Sequence, residues 1–184
     1  MRVLIAFLLL VAMLVQPLPV RAVDANLDHA SLKSLIEGLG YEPVEKTFSN
    51  TGDKYWDLSF PRGPWTYNVT INANNKDSIW TSVEFAVYKG EKQGIPPSAL
   101  LGMLEENNRL VWSRFRYQES TRSFFLVSTL RNKNISPADL RRVIEEIVAA
   151  ADRTQTLWDP KQWPKAAAAE PAKAVPQTAE ETKK

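Results

Sequence analysis

The chain has 184 residues, 44% of them hydrophobic, with a formal net charge of +2, one His and no Cys. That length is enough for one packed core, and the missing thiols exclude disulfides, thiol nucleophiles and cysteine-ligated zinc. Of the 23 basic residues, Arg2 and Arg21 belong to the leader described next, and without them 21 basic residues face 21 acidic ones. A balanced domain lacks the cationic footprint of a nucleic-acid binder.

Met1 to Ala22 reads as a secretory signal peptide: Arg2, an apolar run from Val3 to Val15, then Pro17, Pro19 and a small-residue ending at Val20-Arg21-Ala22. The run is shorter than the roughly 20 apolar residues that span a bilayer, so cleavage after Ala22 is expected and no membrane span would remain. Val23-Asp24-Ala25 offers a second cut, and no cysteine follows to take a lipid. The expected location is periplasmic or secreted.

The first mature element is a helix from Asp28 to Leu39. It has Leu32, Leu35, Ile36 and Leu39 on one stripe, Asp28 as N-cap and Gly40 in the left-handed C-terminal position. A weak strand at Val44 to Phe48 precedes three alternating segments, Lys54 to Phe60, Trp65 to Ala73 and Ser78 to Tyr88. One apolar and one mostly polar face per strand belongs to an antiparallel sheet covered on one side.

After a polar loop at Lys89 to Gly94 comes a short helix from Pro97 to Asn107, with Leu100, Leu101 and Leu104 three or four apart on one face. The period then changes to two over Leu110 to Tyr117 and Phe124 to Leu130, which predicts a hairpin. The last helix starts on Ser136 and Pro137 and runs to about Thr156, with Leu140, Val143, Ile144, Ile147, Val148 and Ala151 on its apolar stripe. Beyond Trp163 the chain is Ala, Pro, Lys and Glu with Val175 as its one sizeable apolar residue, a composition that cannot bury enough surface to fold. The organisation expected is signal peptide 1–22, one domain 23–158, and a disordered tail 159–184.

The chemistry is sparse. His29, at the start of the first helix, is expected to be exposed and to do no catalysis. Glu105-Glu106 and Glu145-Glu146 are neighbours about 100° apart on helices, which predicts solvated faces rather than a shared proton or metal. Asp53 and Asp57 have no obvious acid partner, and seven glycines leave little room for a phosphate loop. No catalytic residue, metal ligand or cofactor is assigned.

The face the sheet leaves uncovered carries more. If Ile79, Val83, Phe85 and Val87 point to the helices, Trp80, Glu84 and Tyr88 point outward. If Val111, Phe115 and Tyr117 point inward, Leu110, Trp112, Arg114 and Arg116 point outward. Trp, Tyr and Arg are the residues enriched in interface centres, so Trp80, Glu84, Trp112, Arg114 and Arg116 form the candidate partner-binding set. A slip of one residue would exchange the faces and bury Trp80 and Trp112 instead.

Three segments carry a resemblance: Leu32-Lys33-Ser34-Leu35-Ile36-Glu37-Gly38-Leu39-Gly40-Tyr41, then Leu100-Leu101-Gly102-Met103-Leu104-Glu105-Glu106-Asn107-Asn108, and Ile135-Ser136-Pro137-Ala138-Asp139-Leu140. With the order helix, three or four strands, helix, two strands, helix, the chain over Leu27 to Trp158 resembles the type III secretion chaperone-like fold, in particular its YbjN-type bacterial branch. The resemblance implies a single α+β domain that holds a partner polypeptide or acts as a regulator without catalysis, and that dimerises through the middle helix and hairpin. The leader sets this chain apart, since secretion chaperones of that kind work in the cytoplasm. The function expected is an exported, non-catalytic module engaging a polypeptide partner or a second copy of itself. The alternative is an envelope glycan or cell-wall binder, or a minor hydrolase, stacking sugars on the tryptophans beside Asn68, Asn72 and Asp57.

Overall fold

The computed structural model describes residues 26–87 and 94–163. The leader, Tyr88 with most of the polar loop, and the tail from 164 lie outside the described residues. Helix α1 (His29–Gly38) is followed by strands β1 (Val44–Thr47), β2 (Lys54–Arg62), β3 (Trp65–Asn75) and β4 (Ser78–Val87). Then come α2 (Pro97–Glu106), β5 (Arg114–Gln118), β6 (Ser123–Arg131), α3 (Pro137–Arg153), the short α4 (Gln155–Trp158) and a 3-10 turn at Pro160–Gln162. The strands form one antiparallel sheet in the order β1-β2-β3-β4-β6-β5. The fold is therefore α+β, an open six-stranded sheet with helices, as the alternation of the strands implied.

Local chemistry sets the helix ends. The Asp28 carboxylate accepts from the Ser31 N–H at 2.7 Å, and that backbone bond, followed by the Ser31 side chain, holds its pKa below the ordinary value. Gly40 adopts φ +86°, the left-handed conformation that ends α1 cheaply only with glycine. Ser136 accepts from the Asp139 N–H, with Pro137 at the first helical position of α3. α3 stops at Thr154, whose hydroxyl bonds back to the Ala150 carbonyl at 2.6 Å, so the helix expected to reach Thr156 breaks there and restarts as α4.

The core lies between the sheet's inner face and α1 and α3. Leu58, Val69, Val83 and Leu126 meet across the strands, and Leu140, Val143, Ile144, Ile147 and Val148 of α3 are all buried against the same cluster. Each such side chain contributes roughly 1.5–3 kcal/mol relative to exposure. Inside this apolar layer Thr81 of β4 sits directly opposite Ser128 of β6, both buried, and neither hydroxyl has a hydrogen-bond partner.

The sequence leaves open which side the α2 stripe takes, and two further expectations, the start of β5 and the inward Tyr117, are not met. The leucine stripe of α2 does not face the core: Ala99, Met103 and Glu106 are its buried residues, while Leu100, Leu101 and Leu104 are 38%, 60% and 62% exposed. Gly102 lets α2 lie close against α4, where a Cβ at this position would come within 2.7 Å of the Leu157 side chain. Strand β5 begins at Arg114 rather than Leu110, and Val111, expected inside, is 78% exposed. Tyr117 touches Phe124 at a ring separation of 5.0 Å but is 41% exposed, because it lies toward the sheet edge.

The glutamate pairs also depart from the reading of solvated faces. Glu106 is buried and receives the guanidinium of Arg153, with Arg109 at 3.5 Å. Glu146 accepts from the N–H groups of Val111, Trp112 and Ser113 at 2.8–2.9 Å and from the Ser113 hydroxyl at 2.8 Å. This is why Leu110 to Ser113 does not pair as strand: a helix carboxylate takes its donors. Burial pushes the Glu146 carboxyl up, but these donors, the Val111 N–H first, outweigh burial and hold it below its usual value. His29 is half-buried, stacked on Trp56 at 4.3 Å with Nε2 3.1 Å from Glu45, rather than free in solvent.

Candidate functional site

The outer face of the sheet follows from the register. Trp80 lies opposite Asn72 on one side and Thr129 on the other, Arg114 lies opposite Val127, and Arg116 and Glu84 both lie opposite Phe125. Paired residues of an antiparallel sheet project to the same side. All of these therefore share the face away from α1 and α3, as the alternation of β4 and of β5 proper required.

An open groove of about 540 Å³ runs over this face, floored by Trp80, Phe125 and Val127 and walled by Phe48 and Arg116. The Arg116 guanidinium sits over the Trp80 ring, 5.7 Å from its centroid. Such a contact contributes about 0.5–1 kcal/mol and keeps the indole from being a bare apolar surface. Phe48 stacks on Tyr55 at 4.3 Å, which fixes the wall that the β1–β2 turn contributes along with Asn50, Thr51 and Asp53.

The five sequence-derived residues divide. Trp80 and Arg116 meet in the groove. Arg114 and Glu84 are exposed on the same face outside the groove lining, Arg114 next along β5 and Glu84 at the far end of β4. Trp112 lies off the sheet, 38% exposed in the turn held by Glu146. Of the residues considered for sugar contact, Asn72 lines the groove, Asn68 lines a different cavity, and Asp57 is buried and taken by Lys46 at 2.5 Å.

A second apolar surface adjoins the groove. Leu100, Met103 and Leu104 of α2, with Tyr117 and Phe124, line a cavity of about 210 Å³ that also touches Arg116. Among the described residues, six of the seven large exposed apolar side chains fall between Leu100 and Tyr117. Of these, Leu100, Leu104 and Tyr117 line the same cavity, and clustered exposed apolar side chains, unlike a lone exposed leucine, are characteristic of interaction surfaces. Sequence periodicity detected the leucine stripe of α2 without the side on which it falls.

Among the described residues no catalytic arrangement forms around His29, which meets Glu45 and stacks on Trp56, the ring that Lys33 also overlies at 5.7 Å. Among the described residues no group of three or more His, Asp or Glu could hold a metal ion, and no helix is long and apolar enough to cross a membrane.

No family model and no curated protein matches the chain. Solved structures do. The chain is similar to an uncharacterised protein from Methanothermobacter thermautotrophicus at a TM-score of 0.52 and 14% identity, covering 74% of this chain and 100% of that one. It is similar to a chain of the heterodimeric ExoU–SpcU complex from the type III secretion system of Pseudomonas aeruginosa, with a TM-score of 0.48, 13% identity and coverage of 70% and 98%. YbjN from E. coli follows at 0.41 and 15%, covering 68% and 92%. Both groups named in the resemblance read from three sequence segments, the type III secretion chaperone complexes and YbjN, are among the solved structures matched.

Proposed function

We propose that this protein is an exported, non-catalytic binding module that engages a polypeptide, or a second copy of itself, through the outer sheet face and the adjoining edge of α2. The observation that carries the reading is the exposure of Leu100, Leu101 and Leu104, with Leu100 and Leu104 lining one cavity with Tyr117 and Arg116, and Arg116 also lining the Trp80 groove. Apolar anchors joined to an Arg–Trp pair have the composition of an interface centre, and polar Asn50, Asn72, Gln118 and Thr129 supply a rim. Export rests on the leader, and N-terminal sequencing of the secreted or periplasmic form should begin at Val23.

The test is binding of the mature protein to an array of defined synthetic peptides, together with light scattering on a sizing column. Trp80→Ala and Leu101→Ser/Leu104→Ser should each weaken peptide capture or dissociate a dimer by tenfold or more, as loss of an interface anchor does. Arg114→Ala should weaken a polypeptide contact. If Trp80 fluorescence instead responds to oligosaccharide and Arg114→Ala is without effect, the groove belongs to a glycan binder, with Asn72 beside the indole as its hydrogen-bonding group. Turnover abolished by one carboxylate substitution would place the protein among hydrolases.

A further inference from the structure

Strands β5 and β6 carry three arginines, Arg114, Arg116 and Arg131, and no acidic residue. All three project from the outer face: Arg114 lies opposite Val127, Arg116 opposite Phe125, and Arg131 opposite Ser78, which lines the Trp80 groove. All three are exposed, and none of their guanidinium groups has a hydrogen bond or ion pair among the described residues. Arg109, Arg142 and Arg153 differ, since each of them meets a carboxylate.

The acids of the same face leave these arginines unneutralised. Asp57 is taken by Lys46 at 2.5 Å, Asp53 stands across the groove on the β1–β2 turn, and Glu84 flanks Phe125 on the side away from β5. Arg116 lies over the Trp80 ring, 5.7 Å from its centroid, instead of closing on Glu84. A guanidinium on a ring uses its flat face and keeps its in-plane N–H donors, the fork that takes a carboxylate by two parallel hydrogen bonds. The ring also restricts a long side chain beforehand, so less freedom is lost on binding. Arg114 follows on the same face two residues away, about 6.6 Å along the strand. A second extended chain repeats its own same-side residues at that spacing.

We propose that the outer face over β5 and β6 takes an extended polypeptide with carboxylates on alternate residues, one on Arg116 and the next on Arg114. This rests on the reading of that face as a polypeptide-binding surface and gives the partner its chemistry. The segment lies on the sheet rather than along its edge, because the Asn107 amide already holds the N–H and the carbonyl of Phe115, between the two arginines. Half-buried Trp80 and Phe125 supply the apolar contact beside them. Most surface ion pairs contribute little, and a bidentate pair on a guanidinium already held in place is the exception. Basic and acidic residues number 23 and 21 over the whole chain, so the cationic surface is local. It suits a few carboxylates better than a polyphosphate backbone.

The experiment is fluorescence anisotropy of the full mature protein with short labelled peptides of equal Leu and Phe content. One carries Glu on alternate residues, one has Gln in their place, and one has the same Glu residues moved to adjacent positions. The alternating Glu peptide should bind about tenfold tighter than the Gln peptide, and tighter than the adjacent-Glu peptide. Added salt should shrink that advantage. Arg114→Gln and Arg116→Gln should each remove most of it and leave the Gln peptide unchanged, with circular dichroism checking the fold. Arg116→Lys should retain only part of it, because an ammonium lacks the fork. Equal affinity for the Glu and Gln peptides would overturn this proposal and leave the binding surface standing, whereas no binding of any peptide would overturn the surface itself. Tighter binding of a single-stranded oligonucleotide, or self-association lost in Arg114→Gln/Arg116→Gln, would also overturn it, by assigning the arginines to phosphates or to a second copy.

Discussion

At the β5 edge of the sheet the backbone donors that point away from β6 end on side chains as far as Phe115: Val111 and Ser113 on Glu146, and Phe115 on the Asn107 amide, with N–H to Oδ1 at 2.6 Å and the amide returning to the Phe115 carbonyl, while Tyr117, next in the alternation, has no such cap among the described residues. At the β1 edge nothing comparable happens. The bond from the Phe48 N–H to the Asp53 carbonyl sets the alternation so that the N–H groups of Glu45 and Thr47 face outward, and no described residue receives them. Exposed edges invite pairing with another chain, and proteins blunt them by capping, by shortness or by charge. This molecule caps the edge beside its apolar surface. It leaves the other as four exposed residues with Glu45 and Lys46 in them, tied through Lys54, His29 and Asp57. Another chain approaching α2 and β5 would therefore meet mainly side chains there, since backbone pairing along that stretch is limited.

Removing Glu146 should break this contrast most severely. Glu146→Ala frees three backbone donors and the Ser113 hydroxyl at once, with an expected loss of about 3 kcal/mol in urea unfolding and increased mobility of the Trp112 indole. Glu146→Gln should lose less and change the acid response. The folded carboxyl lies below its usual 4.5, so its contribution is present above that pH and disappears as pH falls through the folded value. Stability of the native protein should decline across that window more steeply than that of Glu146→Gln.

Asn107→Ala opens the edge at one residue. The expected cost is about 1 kcal/mol in the same unfolding measurement, and the variant should gain a tendency to associate through Phe115. The gentlest probe leaves the sequence alone. Amide exchange in the native protein should be at least about tenfold slower at Ser113 and Phe115 than at Glu45 and Thr47. Equal rates would mean that the caps at the β5 edge open as readily as solvent-facing strand.

Much of the fold could be read from residues near one another. Asp28 with Gly40 and Ser136 with Pro137 mark helix ends by chemistry within a turn, and the alternation of β2, β3 and β4 sorts Trp80 outward and Ile79 and Val83 inward without reference to any partner. What escaped depended on contacts far along the chain. The α2 stripe is visible as a stripe, but its direction is decided by Gly102 against Leu157 and by Glu106 against Arg153. Leu110 to Ser113 alternates like strand until Glu146, more than thirty residues later, claims its donors. Trp80 and Arg116 were each assigned to the outer face. Their meeting requires β6 to lie between β4 and β5, an order that no local pattern encodes.

The unpaired hydroxyls of Thr81 and Ser128, facing each other inside an otherwise apolar layer, mean that the molecule is held below the stability its own backbone permits. Joint replacement by Val and Ala would remove two desolvated oxygens at nearly constant shape, a change that is neutral to stabilising. The centre of the sheet is therefore a reserve: an engineer, or a lineage under heat, can draw on it without touching the groove, the α2 surface or either edge.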